Sequence, residues 1–129
     1  MFHVKQGITM LNILAVGAGG FIGSTLRYLI GLIPLKAETD FPYKTFTINI
    51  LGCFIIGLIA AMAGKKNLDP RLILFLKVGI CGGFTTFSSF ALESTDLIHA
   101  GHPAIAALYC ILSVSVGIIA VIAAQVIAG

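Results

Sequence analysis

The stretch GICGGFTTFSSFALE, residues 79–93, decides the fold because it places helix-interrupting residues inside an apolar segment. It carries no charge before Glu93, and it sets Gly79, Gly82 and Gly83 beside two threonines and two serines. Each glycine lowers helix propensity by about 1 kcal/mol relative to alanine. The cluster therefore predicts a helix that breaks in the membrane. The freed backbone N–H and C=O groups must then be met by protein or by a polar cavity.

The composition of the chain indicates that its solvent is lipid. Of 129 residues, 58% are hydrophobic and only 10% are charged, which is more apolar surface than a soluble domain of this length can bury. The net charge is only +3, and no basic run is longer than Lys65-Lys66. A nucleic-acid partner is therefore not expected. We interpret Cys53, Cys81 and Cys110 as small buried side chains, because they lie in apolar segments without metal-ligand spacing.

Four apolar segments are each long enough to cross a hydrocarbon core of about 30 Å at about 1.5 Å per residue. We expect an all-α membrane protein whose single domain, residues 1–129, has four transmembrane helices with the third broken. The predicted spans are 11–33, 45–64, 70–98 and 104–128. Asp69 suits the N-cap of the third helix and Pro70 its first turn.

Small residues form a face on the first span. Gly19 and Gly23 are four apart, and Gly20 and Ser24 repeat the spacing one position later. Such faces let helix backbones approach closely in lipid. Arg27 continues the face, and it either reaches the membrane interface or serves a polar pathway.

Polar residues also share faces on the second and fourth spans. Asn49 lies on one face with Thr45 and Gly52, while Tyr109 and Ser113 share a stripe on the fourth span. A buried amide needs several partners. In membranes it most often bonds a neighbouring helix, so Asn49 is either a link between helices or part of a polar path.

The loop charges give only a weak preference for one orientation in the membrane. One side carries four basic residues and the other carries three: Lys5, Lys65, Lys66 and Arg71 against Lys36, Lys44 and Arg27. The chain either inserts one way on this small difference or inserts both ways.

No catalytic group of residues can be assembled from the sequence, so we do not expect an enzyme. There is no Ser/His/Asp set, no phosphate-binding loop and no metal cluster. His99 and His102 in the last loop lack further ligands.

A permeation path for a small anion fits the polar groups better. The spans supply hydroxyls and one amide at Thr45, Asn49, Thr85, Thr86, Ser88, Ser89, Tyr109 and Ser113. Their hydrogens can replace the water shell of the anion, and phenyl edges carry partial positive charge. Phe87 and Phe90 are three residues apart and can line one groove, although spacing alone favours ordinary packing. Arg27 or Lys77 near a mouth would attract an anion.

Three stretches resemble the signatures of the Fluc/CrcB fluoride-channel family: GGFIGSTLRY at 19–28, NILG at 49–52 and GICGGFTTFSSF at 79–90. Chain length and four spans agree as well, so the likeness covers essentially the whole sequence. The run GGxTTFSxF in a charge-free membrane segment is highly specific, whereas the glycine pairs alone would not be. Ser89 stands where threonine is usual in the family, and it keeps the hydroxyl.

The resemblance implies an antiparallel, dual-topology homodimer that encloses two fluoride pores. Phe87 and Phe90 match the phenylalanines that line the pores, and Asn49 matches the pore asparagine. A track of hydroxyl and carboxyl groups maps to Thr45, Ser113 and Glu93, with Tyr109 nearby. The family also holds a structural sodium ion at the dimer centre on backbone carbonyls, which correspond to Gly82 and Thr85. The sequence agrees with this, since a cation on a two-fold axis would satisfy carbonyls freed at a helix break.

We therefore expect a passive channel that exports fluoride across the cytoplasmic, or inner, membrane. The alternative is a small dual-topology exporter of cationic drugs. Such an exporter requires a carboxylate embedded in the membrane to exchange protons for substrate. The first span has none, and Glu93 lies toward one end of the third. A non-transporting assembly subunit is a third possibility, but it leaves the GGFTTFSSF break unexplained.

Overall fold

Helices account for most of the residues that the structure describes. The computed structural model describes residues 9–35 and 38–129. Helix α1 is Met10–Gly31 and α2 is Tyr43–Lys66. The third span, Pro70–His99, is composite: α3 (Pro70–Ile73), a π-helical stretch (Leu74–Cys81), α4 (Gly82–Phe84) and α5 (Phe87–His99). The last helix, α6, is Pro103–Ala128.

Four spans are long and apolar enough to cross a membrane, which confirms the prediction of an all-α protein with four membrane-crossing helices. Helix α1 ends at Gly31 rather than at residue 33. Asp69 caps the third span as predicted, because its side chain accepts a hydrogen bond from the Arg71 N–H at 2.8 Å. Of the loop charges, Lys5 and Lys36 lie outside the described residues.

The break in the third span lies beyond the glycines and not at them. Gly79 and Gly82 are helical, as is Gly83. The helix ends at Phe84, and extended backbone follows at Thr85 (ψ 160°) and Thr86 (φ −150°). The expectation that the glycines themselves interrupt the helix is therefore wrong.

Close contact with α1 explains the glycines instead. A Cβ added at Gly79 would lie 2.8 Å from the Cα of Gly19, and one added at Gly83 would lie 2.7 Å from the carbonyl oxygen of Gly20. Real Cβ atoms do not approach backbone this closely. Small residues thus let the two backbones touch, as they do in other membrane helix pairs. This close packing, rather than helix propensity, accounts for the glycines.

The spans pair in an alternating order. Helix α1 packs along the first half of the third span, whereas α2 packs along α6. The second half of the third span, α5, packs on α6. The extended residues Thr85 and Thr86 therefore lie where the third span passes from one helix pair to the other.

Candidate functional site

A groove of about 350 Å³ opens beside the break, between α2, the third span and α6. It is mostly apolar and open on one side along the surface of the chain. Six of its lining residues are ones that the sequence predicted for the site: Asn49, Gly82, Thr85, Phe87, Phe90 and Ser113.

Asn49 holds the break in place. Its Nδ2 donates to the Thr86 carbonyl at 3.1 Å, and its Oδ1 accepts from the Thr86 N–H at 2.8 Å. One amide thus replaces both partners that a regular helix would have supplied to Thr86. The sequence left open whether Asn49 links helices or forms part of a polar path. These two bonds make it a link between helices, and its side chain also lines the groove.

Other side chains satisfy further backbone groups at the break. The Thr86 hydroxyl caps α5 by accepting from the Ser89 N–H at 3.2 Å. The Thr85 hydroxyl donates to the Cys81 carbonyl at 2.9 Å. Arg27 reaches across from α1, and its Nε donates to the Gly83 carbonyl at 3.2 Å. Neither alternative offered for Arg27 anticipated this contact with the end of a broken helix.

The carbonyl oxygens of Gly82 and Thr85 have no such partners. Within residues 9–35 and 38–129, neither accepts a hydrogen bond from a side chain or from backbone outside the helical ladder. Both residues line the groove, and a Cβ added at Gly82 would find its nearest neighbour only at 3.9 Å, the Lys77 carbonyl oxygen. Unpaired carbonyl oxygens beside free space are the ligands that a hard cation such as sodium prefers.

The two predicted phenylalanines lie next to each other with different surroundings. Their ring centroids are 5.7 Å apart. The Phe90 ring meets Tyr109 edge to face at 4.9 Å, while the Phe87 side chain is 79% exposed. Phe90 is thus half-buried in the protein, and Phe87 projects from it at the groove.

Glu93 lies behind the Phe90 ring with both carboxyl oxygens bonded. Thr45 donates to its Oε2 at 2.7 Å, and Tyr109 donates to its Oε1 at 2.8 Å. Thr45 and Tyr109 are buried. The structure therefore joins Thr45 and Glu93, which the resemblance placed on a hydroxyl and carboxyl track, with Tyr109, which it placed nearby.

Ser113, the remaining residue of that track, lines the main groove and not the grooves that reach Glu93. Its Oγ is buried and has no hydrogen-bond partner among the described residues. A buried hydroxyl without a partner costs about 1–3 kcal/mol. It is therefore a donor whose natural partner is a ligand or a water molecule in the groove.

Two further grooves reach Glu93 from the opposite end. One, of about 250 Å³, is lined by Lys44, Thr45 and Glu93 among others. The second, of about 350 Å³, includes Asp40, Asp96 and His102 beside Glu93. His102 also contacts Asp40, with 3.2 Å between Nε2 and Oδ2. A line of contacts thus runs from the first groove past Phe90 and Tyr109 to Glu93 and out to these grooves.

Sequence reasoning missed one contact of the site. It did not assign Thr86 as the backbone anchor of Asn49, because nothing local connects residues that are 37 positions apart. Lys77, which the sequence analysis offered as a charge near a mouth, lines the main groove.

Comparisons with known proteins place the chain in a family. The family described as CrcB-like protein, Camphor Resistance (CrcB), matches residues 14–125. A protein of Chlorobium chlorochromatii (strain CaD3) is 46% identical over 110 residues, covering 84% of this chain and 85% of its own length. Proteins of Azobacteroides pseudotrichonymphae genomovar. CFP2 and Agrobacterium fabrum are each 42% identical, covering 86% and 88% of this chain and 90% and 93% of their own length. All three are named fluoride-specific ion channel FluC, which is a transport function and not an enzymatic one.

Proposed function

Because the chain belongs to the CrcB family, we propose that it is a passive, fluoride-selective channel of the cytoplasmic membrane. The observation that carries the proposal is the line of polar groups and ring edges from the groove to Glu93. Ser113 offers, at one end, a hydroxyl that has no partner among the described residues, and the Thr45–Glu93–Tyr109 cluster lies at the other. The relatives' name supports fluoride as the ion.

The groups along this path suit a small, strongly hydrated anion. Hydroxyl hydrogens replace part of its water shell, and the edges of the Phe87 and Phe90 rings add partial positive charge. A cell is negative inside, so an anion is driven outward by about 2.3 kcal/mol for each 100 mV. Export therefore needs no coupled energy source as long as the path excludes the more abundant chloride.

The proposed assembly is an antiparallel homodimer with two pores. In a single chain the groove is open along the surface. The Phe87 side chain is largely exposed, so one chain alone does not enclose a pore beside it. A second copy would close the groove of the first. Because a two-fold axis relates the two copies, the first copy would close the groove of the second in the same way. The small charge difference between the two loop sides fits insertion in both orientations. A monomeric mass for the functional protein in detergent would contradict this assembly.

The same dimer would hold a structural sodium ion. Gly82 and Thr85 both line the groove, and within the described ranges their carbonyl oxygens have no hydrogen-bond partners. Two such carbonyls from each of two chains would give a cation four oxygen ligands. The bound positive charge would also favour an anion nearby. Fluoride conduction and dimer stability that do not change when sodium is replaced by a large organic cation would argue against this ion.

The experiment that tests the function is fluoride efflux from liposomes. Purified protein is reconstituted with potassium fluoride and potassium chloride inside, and valinomycin carries the counter-ion. We expect a fluoride-selective electrode to record rapid efflux while chloride is retained. Fluoride release no faster than from protein-free liposomes would contradict the proposal, and equal release of the two halides would contradict its selectivity.

The pore role of the phenylalanines can be tested by Phe87→Ile and Phe90→Ile. Isoleucine keeps the apolar volume but removes the ring edge, so we expect fluoride efflux to fall roughly tenfold for each change, in line with aromatic edge energies of about 1 kcal/mol or more. Phe21→Ile is the matched control, since Phe21 is 72% exposed on α1 and does not line the groove. Unchanged efflux in both groove variants would assign the rings to packing alone.

A further inference from the structure

We propose that Lys77 is an anion-collecting charge in the main groove, which raises the local fluoride concentration and so sets the conduction rate at low ionic strength. This inference depends on the proposed function. It concerns a side chain outside the line of contacts that leads from Phe90 to Glu93.

The position of Lys77 places its charge at the groove and inside a membrane span. It is exposed and lines the groove together with Asn49 and Ser113. It lies seven residues beyond Pro70, roughly 10 Å along the helix. The Gly82 N–H donates to the Lys77 carbonyl, so Lys77 lies about one π-helical turn before Gly82 on the same span.

The ammonium group of Lys77 is not neutralised within the described part of the chain. It forms no ion pair or hydrogen bond there; the one ion pair found among those residues joins His102 and Asp40. The acidic side chains near the path, Glu93 and Asp96, line the grooves at the opposite end and not this one. The main groove therefore carries a net positive charge.

A lysine in a membrane span is costly unless water or an anion meets it. Two observations favour a hydrated groove. Among the described residues, Lys77 lines it without a countercharge, and the buried Ser113 hydroxyl in the same groove has no partner. A hydrated groove with one fixed positive charge and apolar walls concentrates anions, because low-dielectric walls focus the field.

Ionic strength gives the test its specificity. The Debye length is about 30 Å at 0.01 M salt and about 3 Å at 1 M. The effect of a collecting charge must therefore fade as salt rises, whereas a packing role does not depend on salt.

The experiment measures fluoride efflux as a function of an impermeant salt for Lys77→Gln, Lys77→Arg and the matched control Lys66→Gln. Lys66 is exposed at the end of α2 and does not line the groove, so its variant removes the same net charge elsewhere. Potassium isethionate is present equally on both sides. The dimer content of each sample is measured by size exclusion.

We expect Lys77→Gln to reduce efflux roughly three- to tenfold at about 0.01 M ionic strength and less than about twofold at 1 M. Lys77→Arg should retain the rate and its salt dependence, and Lys66→Gln should match the unmodified chain. A reduction by Lys77→Gln that is equal at all salt concentrations, or one shared by Lys66→Gln, would overturn the inference. So would no reduction at all. Each of these outcomes leaves the proposed function standing if the unmodified chain conducts fluoride, whereas an unmodified chain that does not conduct contradicts both.

Discussion

Gly23→Ala is expected to destroy the packing of α1 against the third span, while Gly20→Ala, three residues earlier, is expected to be tolerated. A Cβ on Gly23 would overlap the Ile80 carbonyl oxygen and lie 2.9 Å from the Phe84 backbone nitrogen. Both contacts are with main chain, so no side-chain rotation can relieve them. Overpacking of this kind costs about 3 kcal/mol or more, which is a large share of the stability of a small protein.

Gly20→Ala is a closely matched control, because it makes the same substitution on the same helix. A Cβ on Gly20 would meet nothing within 4 Å, and alanine is the better helix former by about 1 kcal/mol. The measurement is the thermal midpoint of the purified protein in detergent, together with the fraction that elutes as a single species. We expect a strongly lowered midpoint or no recoverable protein for Gly23→Ala, and an equal or higher midpoint for Gly20→Ala. Equal midpoints for the two variants would show that α1 does not touch the third span as closely as described.

Asn49→Ala is expected to reduce fluoride efflux to the level of protein-free liposomes. The change leaves the Thr86 N–H and carbonyl without the two bonds that Asn49 supplies. Each unpaired backbone group costs about 1–3 kcal/mol, and the extended residues then lose the geometry that places Phe87 and Phe90 at the groove.

Ser113→Ala separates this explanation from a simple loss of a lining donor. Its hydroxyl is in the groove but bonds nothing among the described residues, so its removal should lower efflux without lowering the thermal midpoint. Asn49→Ala should lower both. If Asn49→Ala kept the midpoint of the unmodified chain and lost efflux only, Asn49 would act on the ion alone. Wild-type efflux would leave it no role in the channel.

How far the sequence predicted the fold depends on which contacts are local. The spans follow from apolar run length, and the Asp69 cap follows from its neighbours, so both could be read directly. The position of the break could not. Gly79 and Gly83 read as helix breakers by propensity, yet they contact Gly19 and Gly20 of a helix about 60 residues away. Long-range packing outweighed the local preference.

The site was predicted in part, and for different reasons at different residues. Phe87, Phe90 and Asn49 stood out by type and spacing in a charge-free segment. The joining of Thr45, Glu93 and Tyr109 required three helices to meet, and only the family resemblance had suggested it. The Arg27 contact with Gly83 was not anticipated, because a charged residue near a helix end is equally well explained by the membrane interface. Pore function for these residues remains a prediction.

The alternating order of helix pairing has a consequence for biogenesis. Helix α1 can pack against the third span only after that span has been synthesised, and α2 can pack against α6 only after α6 has been. Neither early helix can therefore complete its contacts alone. Asn49 and Thr86 are separated by 37 residues, which is roughly 2–7 s of translation at about 5–20 residues per second. For that interval the Asn49 amide lies in the nascent bilayer without Thr86, and the Arg27 guanidinium is without Gly83 for longer still, because 56 residues separate them. A ribosome stalled before Thr86 should therefore yield a two-helix intermediate that is degraded by membrane proteases, and one stalled after α6 should not.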